Sequence, residues 1–260
     1  MKQDLRKRRF AVRREFIERA LKVLGSCAVT HVVARGLLPK LFPSLNRLSP
    51  SDLSYHIPNK VVSSLHGAAV SLLAIDIIFH RRSFEKDVFR PYPKQLDVLF
   101  STTLGYALYD MVVMAIHRED GAVMWMHHIL EALGCFFMMC FRQAPFFPAA
   151  FSITEMSVIP QNLLWVMQRA RPDWKGSKAE GNLLLVRLLT VLVFRTFVWP
   201  WAIKYALDKG DFVKNVRQTH WFVITASLIN MVRSTVVAAL AYIRRDRPRW
   251  ARSTFGGRSS

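Results

Sequence analysis

Two adjacent histidines, His127 and His128, are the residues whose type and spacing most directly suggest chemistry. Successive side chains on a helix point about 100° apart, so only one of the two rings can face a given point squarely. Glu131 follows three and four residues later and can reach either ring on the same helix face. A carboxylate bonded to one imidazole nitrogen raises the basicity of the other, as a general base requires. The alternative is that both histidines are ordinary polar residues at a membrane interface, near Trp125.

Other ionisable residues lie inside apolar stretches, where each costs several kcal/mol unless it is paired or faces a cavity. They are His66, Asp76, Asp110, Glu155, Arg187, Arg195 and Arg233. Any one of them can be a polar contact between helices, but so many in one chain favour a polar cavity at membrane depth. Only one pair of histidines is clustered and the remaining histidines are scattered, so no metal site is predicted.

These residues sit in apolar stretches that are long enough to cross a bilayer, which takes about 20 residues per helix. Six stretches qualify: Lys60–Phe79, Asp97–Ile116, Trp125–Phe141, Pro145–Met167, Leu183–Leu207 and Thr219–Ile243. A seventh, Val23–Leu38, contains His31 and Arg35 and is either a short span or an amphipathic interfacial helix. The sequence therefore predicts an all-α membrane protein with six core transmembrane helices, and leaves a seventh N-terminal span open.

The charge distribution supports a membrane location. The formal net charge is +19, which suits either nucleic acid or an anionic membrane surface. Residues 1–22 carry nine Lys and Arg, and the tail carries six Arg between Arg244 and Arg258. Basic clusters that flank apolar spans are typical of the cytosolic face of a multi-pass membrane protein, so no nucleic-acid partner is expected. With six spans, this rule places both termini in the cytosol.

Six short motifs resemble, in order and spacing, those of the TLC-domain proteins. They are Asn59–His66, Gly105–Asp110, Met126–His128, Glu155–Trp165, Phe194–Arg195 and Asn230. That group includes translocating-chain-associating membrane protein, the ceramide synthases and the ceroid-lipofuscinosis membrane protein. The resemblance spans residues 52–245 and leaves residues 1–51 as a basic N-terminal segment and 246–260 as a basic tail. It implies a TLC-type six-helix bundle or barrel with a lipid-sized cavity, in the endoplasmic reticulum.

The chain departs from the ceramide synthases in the acidic half of their site. Those enzymes carry the histidine pair followed by a downstream His-Asp and a further Asp, whereas this chain offers only Glu155 in the corresponding segment. This chain therefore shares the histidine pair with the ceramide synthases but lacks their downstream acidic residues. The resemblance is closest to a small TLC-domain branch that is related to the ceramide synthases but distinct from them.

Two functions follow from the resemblance. The first is a multi-pass membrane protein of lipid homeostasis that binds or processes acyl lipids in its polar cavity. The residues expected to contact the lipid are His66, Asp110, Glu155, Asn162, Arg195 and Asn230. The alternative is an acyl-CoA-dependent acyltransferase that uses His127 or His128 as base or nucleophile, with Glu131 orienting the ring. Acyl-CoA would then be a co-substrate, and no cofactor is expected in either case.

Membrane lipids, and other membrane proteins, are the expected partners. A transporter is less favoured, because the sequence shows no internal repeat.

Overall fold

The computed structural model describes residues 2–117 and 121–209, and the regular elements in these two ranges are helical. The α-helices are α1 (Lys2–Leu41), α2 (Ile57–Ile75), α3 (Lys94–His117), α4 (Ala122–Phe141), α5 (Phe146–Ser152), α6 (Val158–Ala170), α7 (Lys178–Val191) and α8 (Val198–Asp208). Short 3₁₀ or π-helical turns lie at Pro43–Arg47, Asp52–His56, Asp76–His80, Ile153–Ser157, Pro172–Trp174 and Leu192–Phe197. The predicted all-α architecture is confirmed.

Among the described residues, five helical segments are long and apolar enough to cross a membrane. They are Arg14–Leu41, Asp52–His80, Lys94–His117, Ala122–Phe141 and Lys178–Asp208. The last four contain four of the predicted spans, which confirms a multi-pass membrane protein. The predicted span Thr219–Ile243 and its Asn230 lie outside the described residues.

The N-terminal helix is longer than the predicted stretch Val23–Leu38. The segment Arg14–Leu41 has 28 helical residues and qualifies as a span by length and composition. Phe16, Ala20 and His31 are buried on its inner side, whereas Val32 is 68% exposed on the outer side. Burial of His31 explains how a polar residue is tolerated in an apolar helix, because its ring faces the protein and not the surroundings.

The predicted span Pro145–Met167 is interrupted. Helix α5 ends at Ser152, a 3₁₀ turn occupies Ile153–Ser157, and α6 begins at Val158. The sequence indicates a break or kink caused by Pro160, and the structure agrees. This proline is the third residue of α6, and its ring would crowd the carbonyl four residues earlier, that of Met156 in the 3₁₀ turn. The change in helical geometry therefore comes one turn earlier, and the tight turn carries Glu155.

Two buried clusters among the described residues hold the helices together. The larger one joins α1, α2, α3, α4, α5 and α8 with Phe84, Val88 and Phe89 from the loop before α3. The smaller one comprises Tyr55, Val62, Tyr106, Tyr109 and Val113. It lies where α2 begins and α3 ends, which is one end of an antiparallel pair. The candidate site is built around this second cluster.

Two glycines near the middle of α2 and α3 allow close contact with neighbouring elements. A Cβ on Gly105 of α3 would lie 2.4 Å from the carbonyl oxygen of Ala20 in α1 and 2.7 Å from Val23 Cβ. A Cβ on Gly67 of α2 would lie 2.8 Å from the carbonyl oxygen of Glu155. Both separations are too short for a carbon side chain. Gly105 therefore sets the distance between α1 and α3, and Gly67 sets the distance between α2 and the turn at Ile153–Ser157.

We expect Gly105→Ala to destabilise the protein by about 1–3 kcal/mol, because the added methyl group forces α1 away from α3. The measurement is the thermal unfolding midpoint of the purified full chain in detergent. The matched control is Gly134→Ala, since Gly134 also lies inside a membrane helix but a Cβ added there would meet nothing within 4 Å. Equal midpoints for the two variants would contradict the close α1–α3 contact.

Candidate functional site

His128, near the start of α4, lies between two carboxylates. Its Nε2 is 2.6 Å from Asp110 Oδ2 of α3, and its Nδ1 is 3.3 Å from Glu131 Oε2 one turn further along α4. The side chains of His128 and Asp110 are 2% and 4% exposed. Carboxylates accept hydrogen bonds and do not donate them, so the ring satisfies both only if each nitrogen carries a proton or another cation.

Asp110 is also held from α2 and, through Tyr109, from α1. Asn59 Nδ2 donates to Asp110 Oδ1 at 2.8 Å, and Asn59 Oδ1 lies 3.3 Å from the hydroxyl oxygen of Tyr109. That hydroxyl is 2.6 Å from His31 Nδ1, and His31 Nε2 donates to the Ser54 carbonyl at 3.0 Å. The contacts run through four helices. We refer to His31, Asn59, Tyr109, Asp110, His128 and Glu131 as the polar network.

His66 lies beside this network, at the centre of the helical segment Asp52–His80. Its ring stacks on Tyr106, with centroids 4.0 Å apart and planes 11° apart. It is 7% exposed, and neither ring nitrogen has a hydrogen-bond partner among the described residues. Glu131 and His128 are close enough to act on it electrostatically. A buried polar group without a partner costs about 1–3 kcal/mol, so the two nitrogens of His66 are unusual in this interior.

A second polar group faces the same interior from the 3₁₀ turn. Glu155 lies within electrostatic range of Arg195, Glu131 and His127. Arg195, in the π-helical turn between α7 and α8, donates from Nε to Ser157 Oγ at 2.7 Å. The backbone of Glu155 rests on Gly67, one residue from His66. The structure thus brings Glu155 and Arg195 to the interior that His66 and the polar network also border.

Two other polar residues of the spans have structural contacts. Asn162 donates from Nδ2 to the Lys60 carbonyl at 3.2 Å and to Ser64 Oγ at 3.1 Å, which ties α6 to α2. Asp76 pairs with Arg81 at the opposite end of α2 and does not join the polar network. Asn162 remains a predicted lipid contact, but its amide nitrogen already serves helix packing.

A small cavity opens beside Asp110 at the end of the bundle. Its volume is about 70 Å³. The lining residues are Tyr55, His56, Asn59, Lys60, Ser63, Tyr106, Asp110 and Met124. This volume admits a few water molecules or the atoms of a small polar head group, but not an acyl chain. Nearby, Arg169 pairs with Asp52 at 2.8 Å and lies 4.2 Å above the Trp165 ring, so a cation and an aromatic ring stand close to the cavity mouth.

The two predicted catalytic histidines and Glu131, which is predicted to orient them, lie together in α4. The His127 ring is half-buried and its centroid is 4.9 Å from that of His128. One possible ligand atom from each of His127, His128 and Glu131 lies within 4.8 Å of the others, so these three residues could hold a metal ion.

The polar network also contains His31, Asn59 and Tyr109, to which the sequence alone assigns no site role. The sequence does mark two of them as unusual, because His31 is an ionisable residue in an apolar stretch and Asn59 opens the first motif. Tyr109 is next to Asp110 in the sequence, and nothing else in the sequence marks it as a site residue.

These features define the class of protein: an all-α, multi-pass membrane protein with a charged network buried between its helices. Comparison with protein-family models finds the TLC domain over residues 56–241. The match covers more than half of the chain, which therefore belongs to the TLC-domain family, as its motifs predict. Comparisons with curated proteins and with solved structures find no match.

We expect Tyr109→Phe to destabilise the protein by about 1–3 kcal/mol, because it leaves His31 Nδ1 buried without its partner. Thermal unfolding of the purified chain measures the effect. Tyr205→Phe is the matched control, since the Tyr205 hydroxyl is half-buried and reaches the Phe84 carbonyl only at 3.4 Å. If both variants unfold at the same temperature, the polar network does not hold α1 to α3.

Proposed function

We propose that this TLC-domain protein binds the polar part of an acyl lipid beside the polar network and acts in membrane lipid homeostasis, in the endoplasmic reticulum. The observation that carries the proposal is His66. Its two ring nitrogens are buried at mid-span and unpaired among the described residues, next to the charged groups of α3 and α4. A lipid hydroxyl, amide or ester group would supply the missing hydrogen bond.

The chemistry of the interior favours a head group that donates hydrogen bonds. Asp110, Glu131 and Glu155 supply carboxylates, which accept only. Arg195 is already bonded to Ser157, and it offsets part of the charge of Glu155. A hydroxyl or amine of the lipid would thus meet acceptors near His66. The lipid's acyl chains would lie outside the small cavity, along apolar helix faces.

The outer face of α4 offers such a surface. Its apolar side chains include several that are 43–60% exposed, namely Val123, Ile129, Leu130, Leu133, Phe136 and Phe137. In a membrane this face contacts acyl chains, and it belongs to the same helix that carries His128 and Glu131. A lipid held there can place its chains against α4 while its polar group reaches the interior.

Lipid that remains bound through purification tests this proposal. We expect His66→Phe to lose about 90% of the lipid that copurifies with the wild-type chain, since about 1.4 kcal/mol of lost hydrogen bonding changes occupancy tenfold in a subsaturated site. Phenylalanine keeps the ring that stacks on Tyr106 and removes both nitrogens. Extraction and mass spectrometry of the lipids give the amount and the class.

The control for lipid binding is His80→Phe, since His80 is 85% exposed at the far end of the same helical segment. Lipid content in His66→Phe equal to that in His80→Phe would contradict a role for His66 in lipid binding. A wild-type chain with no lipid beyond that of an unrelated membrane protein purified in the same way would contradict lipid binding altogether.

A second candidate function is acyl transfer from acyl-CoA, and the observation that favours it is the state of His127. No described residue hydrogen-bonds to His127, whereas its neighbour His128 faces two carboxylates. A ring with an unused nitrogen can act as a base, and the adjacent acids stabilise the positive charge that it gains.

In this reaction His127 takes the proton from an amine or hydroxyl of the acceptor lipid. The acceptor's nitrogen or oxygen forms a bond to the thioester carbon, and the carbon–sulfur bond of acyl-CoA breaks. The proton passes from His127 to the departing CoA thiolate. The products are the acylated lipid and free CoA, and no oxidant or reductant is needed.

Microsomes that contain the full chain, labelled acyl-CoA and a panel of sphingoid, lysophospholipid and amine acceptors test acyl transfer. If His127 is the base, we expect His127→Ala to lower product formation by about 10²–10⁴-fold, while His80→Ala retains activity. Product formation no higher than in microsomes without the protein would reject this candidate and leave lipid binding in place.

A further inference from the structure

We propose that His127, His128 and Glu131 bind a divalent transition-metal ion, with Zn²⁺ the ion to test first. This inference goes beyond lipid binding and does not depend on it. It starts from the possible ligand atoms of these three residues, which lie within 4.8 Å of one another. The distance between His128 Nδ1 and Glu131 Oε2 also fits two ligands of one metal ion.

The two sides of the His128 ring have different spacings. Nε2 lies 2.6 Å from Asp110 Oδ2 in an ion-pair contact, but the angles at Nε2 do not make it a hydrogen bond. Nδ1 hydrogen-bonds to Glu131 Oε2 at 3.3 Å, which is long for a charge-assisted bond. Two ligand atoms that lie about 2.0–2.2 Å from one tetrahedral zinc ion are separated by roughly 3.3 Å. The spacing on the Nδ1 side therefore fits a shared metal ion.

In this arrangement Asp110 does not bind the metal ion itself but holds the His128 ring that binds it. Metal-bound histidines generally donate their other ring N–H to a carboxylate, which fixes the tautomer and makes the ring a better ligand. Asp110 Oδ2 lies 2.6 Å from Nε2, near enough to accept this hydrogen bond after a small rotation of the ring, and its other oxygen accepts from Asn59 Nδ2 at 2.8 Å. His128 is thus oriented with Nδ1 directed at Glu131 before any ion binds.

His127 supplies the third ligand. Its candidate atom lies within 4.8 Å of those of His128 and Glu131, and rotation of this half-buried ring can shorten the distance. Two imidazoles and one carboxylate suit zinc and its transition-metal neighbours, and three protein ligands leave a fourth position open.

His66 is the independent sign that a ligand belongs here. It is 7% exposed, its two nitrogens are unpaired among the described residues, and it lies within electrostatic range of both Glu131 and His128. Water or a lipid oxygen in the fourth position of the metal would give His66 a hydrogen-bond partner. A divalent ion would also offset charge from Glu131 and Glu155, which repel each other across the interior.

Metal content of the purified full chain tests the proposal. The chain is purified without a polyhistidine tag, treated with a chelator, incubated with Zn²⁺ and freed of unbound metal. We expect elemental analysis to give about one zinc per chain for the wild type, and less than about a tenth of that for Glu131→Gln and His127→Asn. Asp110→Asn should weaken zinc affinity by about 10- to 100-fold, as the loss of an outer partner does. His80→Asn is the control and should keep the wild-type zinc content.

A spectroscopic measurement on the wild-type chain does not depend on whether the variants fold. Co²⁺ in place of Zn²⁺ should give the strong visible absorption of a tetrahedral site, and added Zn²⁺ should remove it. Wild-type protein that binds less than about a tenth of a zinc per chain and gives no such absorption would overturn the proposal. Normal zinc content in correctly folded Glu131→Gln and His127→Asn would equally overturn it.

Discussion

The buried contact between Asp110 and His128 is the constraint on which the rest of this structure depends. An isolated charge at membrane depth costs several kcal/mol, so each of these residues requires the other at close range. Their 2.6 Å contact fixes the register of α3 against α4. The second oxygen of Asp110 binds Asn59 and so fixes α2, and Tyr109 extends the same requirement to His31 in α1. One buried pair thereby determines how four helices meet.

The backbone is shaped to allow these contacts. Gly105 lets α1 approach α3, one turn before Asp110, and Gly67 lets the turn that carries Glu155 rest against α2 next to His66. Carboxylates from α3, α4 and the 3₁₀ turn can then border one interior, and His66 faces it without a partner among the described residues. A site with acceptors, a free imidazole and a lipid-facing helix on its border is suited to the polar part of a lipid. The same interior places two histidines and several carboxylates close together, so it could also hold a metal ion or a histidine that acts as a base.

Most of the span positions could be predicted from the sequence, because a bilayer requires a long apolar run in every crossing helix. Val23–Leu38 is ambiguous in the sequence because its polar residues lower the hydropathy, and only the contact between His31 and Tyr109 shows how one of them is accommodated. The neighbourhood of His128 and Glu131 is predictable, since residues three apart on a helix are adjacent. The pairing of His128 with Asp110 is not, because contacts between helices depend on the rotation and register that packing sets. The break before α6 is predictable from Pro160, because a proline disrupts the helical turn that precedes it, and the 3₁₀ turn Ile153–Ser157 lies there.

A double-mutant cycle on Asp110 and His128 tests the central claim most directly. The free energies of unfolding of Asp110→Asn, His128→Gln and the double variant are compared with that of the wild type by reversible unfolding in mixed micelles. Removing one member of a buried pair should cost about 3–5 kcal/mol, because the other charge is left unpaired. We predict that the double variant is no less stable than either single variant, which corresponds to a coupling energy of similar size. Single costs that add to within about 0.5 kcal/mol would show that the two residues act independently, and would contradict the central role of this pair.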